Sequence, residues 1–275
     1  MTRFLILDAY SQQGRDRLAS AGVPLAGTMY RNMVHRHRPD SESDIVCIAD
    51  PQARPPQPLE SYDAMLWTGS SLSIYEDLPE VHRQIELARH AFDIGVPAYG
   101  SCWALQLAVV AAGGEVERSP HGLTFGLSYG ITLTPEGQAH PIYKNRASPF
   151  DALASHYDIV KTMPPGGTVL ARSHRSNVQA AMIEHKKSTF FATQYHPEFN
   201  FEVLSGVTYS RKTLLVEQGF YPDLAAAETQ ACDFEHLHSP TPVAELVAKY
   251  KLTDSVLDID QRQNEFKNWL SLLAL

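Results

Sequence analysis

Several absences narrow the function before any motif is read. The chain has only three cysteines, Cys47, Cys102 and Cys232, widely spaced and odd in number. They make neither a disulfide framework nor a zinc pattern, and suit a reducing compartment. No apolar run approaches the roughly 20 residues that span a bilayer. The N-terminus passes at once into Phe4-Leu5-Ile6-Leu7-Asp8 with no basic flank ahead of an apolar core, which reads as a strand rather than a signal peptide. A cytoplasmic protein is expected, with no membrane association. The net charge of −8 over 275 residues argues against nucleic acid as a partner. There is no Gly-x-x-x-x-Gly-Lys phosphate loop, no internal repeat and no low-complexity segment. With 44% hydrophobic and 20% charged residues, the remaining composition is that of an ordinary globular protein.

What is present centres on Gly100-Ser101-Cys102-Trp103-Ala104-Leu105-Gln106. Gly95 to Tyr99 ahead of it is short and apolar and predicts a buried parallel strand. Trp103 to Ala112, Ala- and Leu-rich and closed by Gly113-Gly114, predicts a helix. Cys102 then sits on a tight strand-to-helix turn, the geometry of a nucleophile elbow with a thiol in place of a hydroxyl. A helix N-terminus also favours a thiolate. A free Cys is equally often a small buried hydrophobe, and this stretch alone leaves both readings open. The second motif decides between them. Thr189 to Gln194 predicts a strand, and Tyr195-His196-Pro197-Glu198 follows at its end. A His there can act as base to a thiol while a carboxylate fixes its tautomer. Pro197 restricts how the pair can move. His156, in Ser155-His156-Tyr157-Asp158, is the weaker candidate, having no Pro-fixed carboxylate after it.

These motifs resemble those of the class I, triad-type glutamine amidotransferases, most closely the glutaminase domain of GMP synthase and its stand-alone relatives. Gly100, Cys102 and Gln106 match the Gly-x-Cys-x-Gly-x-Gln elbow, with Ala104 where the family has Gly; His196 and Glu198 match its His-Pro-Glu. Trp67-Thr68-Gly69-Ser70-Ser71 matches the Gly-containing loop after the preceding strand. The resemblance spans residues 1 to 200. It implies a flavodoxin-like α/β fold, an open, mostly parallel sheet with helices on both faces. It implies Cys102, His196 and Glu198 as catalytic triad and the backbone N–H groups of Gly69 and Trp103 as oxyanion hole. Gln106 and Ser70 would contact substrate, and neither metal nor organic cofactor is required. Ser155-His156 stands where the family has a substrate-facing stretch.

The chain in order predicts strands at Phe4 to Leu7, Ile45 to Asp50 and Tyr62 to Trp67, and one or two helices between Leu18 and Arg36. Arg31, His35, Arg36, His37 and Arg38 read as a solvated cationic helix end. Pro79 to Ile94 predicts a helix begun by Pro. Glu115 to Thr134 predicts short strands broken at Gly122, Gly126 and Gly130, and further strands follow at Thr168 to Arg172 and Val178 to Ile183. Residues 1–219 would form the catalytic domain, ending with a helix from Phe201 to Gln218. Residues 220–275 would form a helical extension, with helices near Ala225 to Thr229, Val243 to Tyr250 and Gln261 to Leu273. It is too small for a core of its own, so it should pack on the domain or on a second copy of the chain, which is compatible with a homo-oligomer. Asp254, Asp258 and Asp260 read as caps and surface charge.

The leading functional expectation is hydrolysis of the glutamine γ-carboxamide through a thioester, with ammonia passed to a separate synthetase, because no synthetase domain follows residue 200. A stand-alone γ-glutamyl peptide or amide hydrolase is the first alternative. A non-catalytic binding or regulatory pseudoenzyme, suggested by Ala104, is the second.

Overall fold

The computed structural model describes residues 2–273. Strand β1 (Arg3–Asp8) leads into helices α1 (Gln12–Ser20) and α2 (Ala26–His37), then β2 (Glu42–Cys47), β3 (Ala64–Trp67) and α3 (Pro79–Ile94). Helix α3 starts with Pro79 in its first turn and stops at Gly95, whose φ of 90° only glycine adopts freely. Next come β4 (Ala98–Ser101), α4 (Trp103–Ala111), β5 (Glu115–Arg118), β6 (Thr124–Leu133), α5 (Pro135–Ala139) and β7 (Phe150–His156). Strands β8 (Asp158–Thr162), β9 (Gly167–Arg172), β10 (Ala180–His185) and β11 (Ser188–Thr193) precede α6 (Phe201–Glu217). The C-terminal region holds α7 (Leu224–Leu237), α8 (Ala244–Lys249), α9 (Asp254–Leu257), α10 (Ile259–Arg262) and α11 (Asn264–Leu272).

Nine strands form one sheet in the order β2-β1-β3-β4-β11-β10-β9-β6-β7, and β5 pairs with β8 in a separate ribbon. The first five strands are parallel; from β11 outward the pairings are antiparallel. Alternation divides β1 between the two faces. Leu5 and Leu7 join the core beneath α3 and α4, while Phe4 and Ile6 face α2 and α11. The fold is thus the expected α/β architecture, an open sheet with a parallel half and helices on both faces. The segment from Glu115 to Thr134 departs from the sequence expectation. Gly126 and Gly130 do not break it into short strands but sit at φ 79° and 65° inside the ten-residue β6. The pairing of β6 with β7 slips between Ser128 and Ile131, so the second glycine marks a bulge rather than a strand end.

The C-terminal helices pack into two separate parts of the core. Phe266, Trp269 and Leu270 of α11 lie in the core under the sheet, and Phe234 and Leu237 of α7 pack with Leu204 and Val207 of α6. The basic end of α2 is not merely solvated. Arg36 pairs with Asp260 at 2.8 Å, His37 bonds Gln263 at 2.9 Å, and Arg38 donates to the Leu270 carbonyl. Asp258 caps α10 by accepting from the Asp260 N–H at 2.7 Å. Among the described residues no helix is long and apolar enough to cross a membrane, and no group of three His, Cys, Asp or Glu could hold a metal ion.

Candidate active site

The C-terminal ends of β1, β3, β4 and β11 open on one edge of the sheet, where open α/β sheets bind ligands. β4 ends at Ser101 and α4 begins at Trp103, so Cys102 alone makes the turn. Its φ of 55° and ψ of −100° lie outside the regions common for a side-chain-bearing residue. The turn is held by the Cys102 N–H, which donates to the Thr193 carbonyl at 2.6 Å, and Cys102 itself is buried. Gly100 makes the sharp approach feasible. A methyl there would fall 2.2 Å from the Ala104 Cβ and 2.5 Å from the Trp67 carbonyl oxygen. The methyl of Ala104 therefore occupies the space opposite Gly100, and the helix start fits without displacing Cys102.

His196 and Glu198 stand on the turn after β11. His196 Nδ1 lies 2.7 Å from Glu198 Oε1, with both side chains buried. That contact assigns the ring proton to Nδ1. Nε2 is buried and bound to no protein oxygen or nitrogen, which leaves it for the thiol and for substrate. Burial alone would push the imidazole pKa down, but the Glu198 charge and the Cys102 side chain outweigh it and carry it up to about 10. The ring stacks on Phe199, centroids 4.0 Å apart and planes 8° apart, which fixes its plane. A Cβ on Gly69 would fall 3.0 Å from His196 Cε1 and 3.8 Å from Cys102 Cβ, so the loop after β3, the imidazole and the thiol converge on one point.

Two groups escaped the sequence analysis. Ser101 Oγ donates to Glu198 Oε1 at 2.8 Å, and Tyr30 OH donates to Ser101 Oγ at 2.8 Å, both buried. This pair of bonds holds the carboxylate from behind. Its only sequence signal was the Ser within Gly-Ser-Cys.

Of the remaining expected residues, Ser70, Trp103 and Gln106 border a cleft of about 440 Å³ that Cys102 and His196 also line. Gln106 is buried on α4 and reaches the cleft. Ser70 also lines it, but its hydroxyl donates to the Ala9 carbonyl at 2.9 Å and accepts from the Leu72 N–H, so it shapes the loop as well. Trp103 stands at the first position of α4, where a helix leaves its N–H unpaired. Among the described residues neither that N–H nor that of Gly69 donates to a protein acceptor. Gln84 holds the two flanking indoles, accepting from Trp67 Nε1 at 3.3 Å and Trp103 Nε1 at 3.0 Å. His156 also borders the cleft, yet among the described residues its ring bonds only the Asp158 carbonyl, and burial holds its pKa down to about 3. It is a neutral imidazole with no carboxylate behind it. Cys47 is half-buried away from the cleft and Cys232 is exposed on α7.

Comparisons with known proteins agree with this architecture. The family model for glutamine amidotransferase class-I matches residues 31–210. The chain is 33% identical over 276 residues to the γ-glutamyl-L-1-hydroxyisopropylamide hydrolase of a Pseudomonas species, covering 99% of this chain and 93% of that protein. It is 35% identical over 118 residues to a glutamine-hydrolyzing GMP synthase subunit of Methanocaldococcus jannaschii, covering 42% of this chain and 59% of that protein. A crystal structure of a Thermotoga maritima glutamine amidotransferase superposes with a TM-score of 0.67 at 14% identity, over 99% of this chain and 97% of that one. A deep elbow cysteine beside a His-carboxylate pair, in this topology and with these likenesses, leads to one conclusion: the chain belongs to the class I glutamine amidotransferase family.

Proposed function

We propose that the chain is a γ-glutamyl amide hydrolase that works through a Cys102 thioester. Cys102 Sγ attacks the γ-carboxamide carbon, forming a C–S bond and placing negative charge on the carbonyl oxygen. The N–H groups of Gly69 and Trp103 receive that oxygen; preorganised donors of this kind contribute about 3–4 kcal/mol each. His196 Nε2 holds the proton drawn from the thiol, as its raised pKa favours, and delivers it to the leaving nitrogen as the C–N bond breaks. Water then adds to the thioester, giving its proton to His196, and glutamate leaves as the thiol is restored. Glu198 keeps the Nδ1 proton in place and balances the imidazolium, itself held by Ser101 and Tyr30. Gln106 contacts the γ-glutamyl portion.

The observation that carries this reading is the end-to-end likeness to the Pseudomonas hydrolase, which extends through the C-terminal helices. The cleft adds support, since about 440 Å³ falls within the range of sites for drug-sized ligands. The likeness to the Methanocaldococcus GMP synthase component favours a second reading, a glutaminase delivering ammonia to a separate synthetase. Steady-state assays of the purified chain separate the two. We expect kcat/KM for γ-glutamyl alkylamides to exceed that for glutamine. A preference for glutamine, further stimulated by a synthetase, would support the second reading instead.

A further inference from the structure

Proton delivery fixes the orientation of substrate in the cleft. The leaving nitrogen must lie next to His196, and His196 stacks on Phe199, immediately before α6. The departing amine therefore lies on the side of the cleft bounded by Phe199 and the start of α6. There the cleft continues between two helices. One stripe of α6 faces it, with Val207, Arg211, Leu214 and Glu217 at helical spacing, and Leu18 and Arg17 of α1 line the same space. From Val207 to Glu217 that wall runs about 15 Å, more than ammonia needs.

The chemistry of the wall is specific. Arg211 is half-buried and donates to Ser155 Oγ at 3.1 Å, while the Ser155 carbonyl accepts from Cys102 Sγ at 3.7 Å. One residue thus separates the guanidinium from the nucleophile. Among the described residues no carboxylate lies within ion-pair distance of Arg211 or of Arg17, whose side chain donates only to Gln13 at 3.4 Å. A half-buried guanidinium has five donors arranged to receive a carboxylate, and here a single hydroxyl occupies one of them. Glu217 lies about 9 Å further along the helix, at its exposed end.

We infer that the space between α1 and α6 is a leaving-group subsite for an amine with a short aliphatic body and an anionic end, the body against Leu214 and Val207 and the anion on Arg211. The substrate class is then a γ-glutamyl amino acid rather than a γ-glutamyl alkylamide or glutamine. The inference rests on the γ-glutamyl amide hydrolase reading. Hydrolysis balances as before: the amide C–N bond breaks, water supplies the oxygen and the protons, and the free amino acid leaves with glutamate.

The test compares kcat/KM for three substrates: γ-glutamylalanine, γ-glutamylethylamide and the mono-γ-glutamyl amide of 1,4-diaminobutane. Wild-type enzyme should prefer γ-glutamylalanine. Arg211→Met, which keeps the length of the stem, should reduce the ratio of γ-glutamylalanine to γ-glutamylethylamide by roughly tenfold to hundredfold, the worth of one charge-assisted pair. Arg211→Lys should recover part of that ratio. A wild-type preference for the neutral or the cationic amide overturns the subsite, and needs no variant to fold. Equal losses on all three substrates also overturn it, because they place Arg211 on the α-carboxylate that the substrates share. Turnover without charge preference leaves the hydrolase reading standing and removes only the subsite. Wild-type enzyme that cleaves none of the three removes both.

Discussion

Substituting Gly100 with Ala tests how the elbow is built. Gly100 does not adopt a left-handed φ, so the perturbation is steric. The new methyl would meet the Ala104 Cβ at 2.2 Å and the Trp67 oxygen at 2.5 Å, against an ordinary carbon contact of about 3.5–4.0 Å. Neither obstacle is the free end of a flexible side chain. Both lie in the fully buried seam between β3, β4 and α4. Overpacking costs about 1–3 kcal/mol and more where the backbone must move, so about 3 kcal/mol is expected. Ala104→Gly alone should cost about 1 kcal/mol through helix propensity. In the double variant the methyl–methyl clash is gone while the Trp67 oxygen remains, so its total should fall short of the sum by about 1 kcal/mol or more. Urea unfolding of the four proteins gives these values. Because the clash pushes α4 from β4, Gly100→Ala should also lower kcat by about 100-fold, as a displacement near 1 Å can. Wild-type stability in Gly100→Ala, or strict additivity in the double variant, would refute this account of the elbow.

Glu198→Gln should lower the His196 pKa, because it removes the charge that outweighs burial. A pKa raised to about 10 gives stability that is full below pH 6.5 and lost as pH rises toward 10. Urea midpoints should therefore fall across that window in wild type and less in Glu198→Gln; parallel profiles would contradict the pairing. His156 has the opposite sign. Held down to about 3 by burial, it costs stability as pH falls from 6.5 toward 3, and His156→Gln should flatten that acid limb in the same measurement. Glu265→Ala leaves Arg146 buried without its partner at 3.4 Å and strips Tyr195 OH of its acceptor at 2.6 Å. A loss of about 3–5 kcal/mol in urea unfolding is expected, and a change below about 1 kcal/mol would show that α11 is not anchored there.

The candidate site was legible because its parts are local in sequence. A strand, a Gly-x-Cys turn and a helix announce an elbow, and Pro between His196 and Glu198 ties imidazole to carboxylate. The supports were not legible, because they come from distant segments. Tyr30 reaches Ser101 across 71 residues and Arg211 reaches Ser155 across 56, and neither leaves a periodic trace. The parallel strands were readable from continuous apolar runs such as Phe4 to Leu7. The long β6 was not, since its glycines lie at left-handed angles inside a strand, where glycine usually signals an end. The cationic end of α2 looked solvated because its partners, Asp260, Gln263 and Leu270, lie more than 200 residues away.

The central claim is that Cys102 carries the γ-glutamyl group. Acid-quenched reactions of the wild-type chain with a γ-glutamyl amide, read by intact mass and peptide mapping, test it most directly. We expect one γ-glutamyl adduct on the peptide containing Cys102, more abundant in His196→Ala acylated with an activated γ-glutamyl ester, since deacylation then lacks its base. Cys47 and the exposed Cys232 should remain unmodified. An adduct on either of those cysteines, or turnover that persists in Cys102→Ala, would contradict the account.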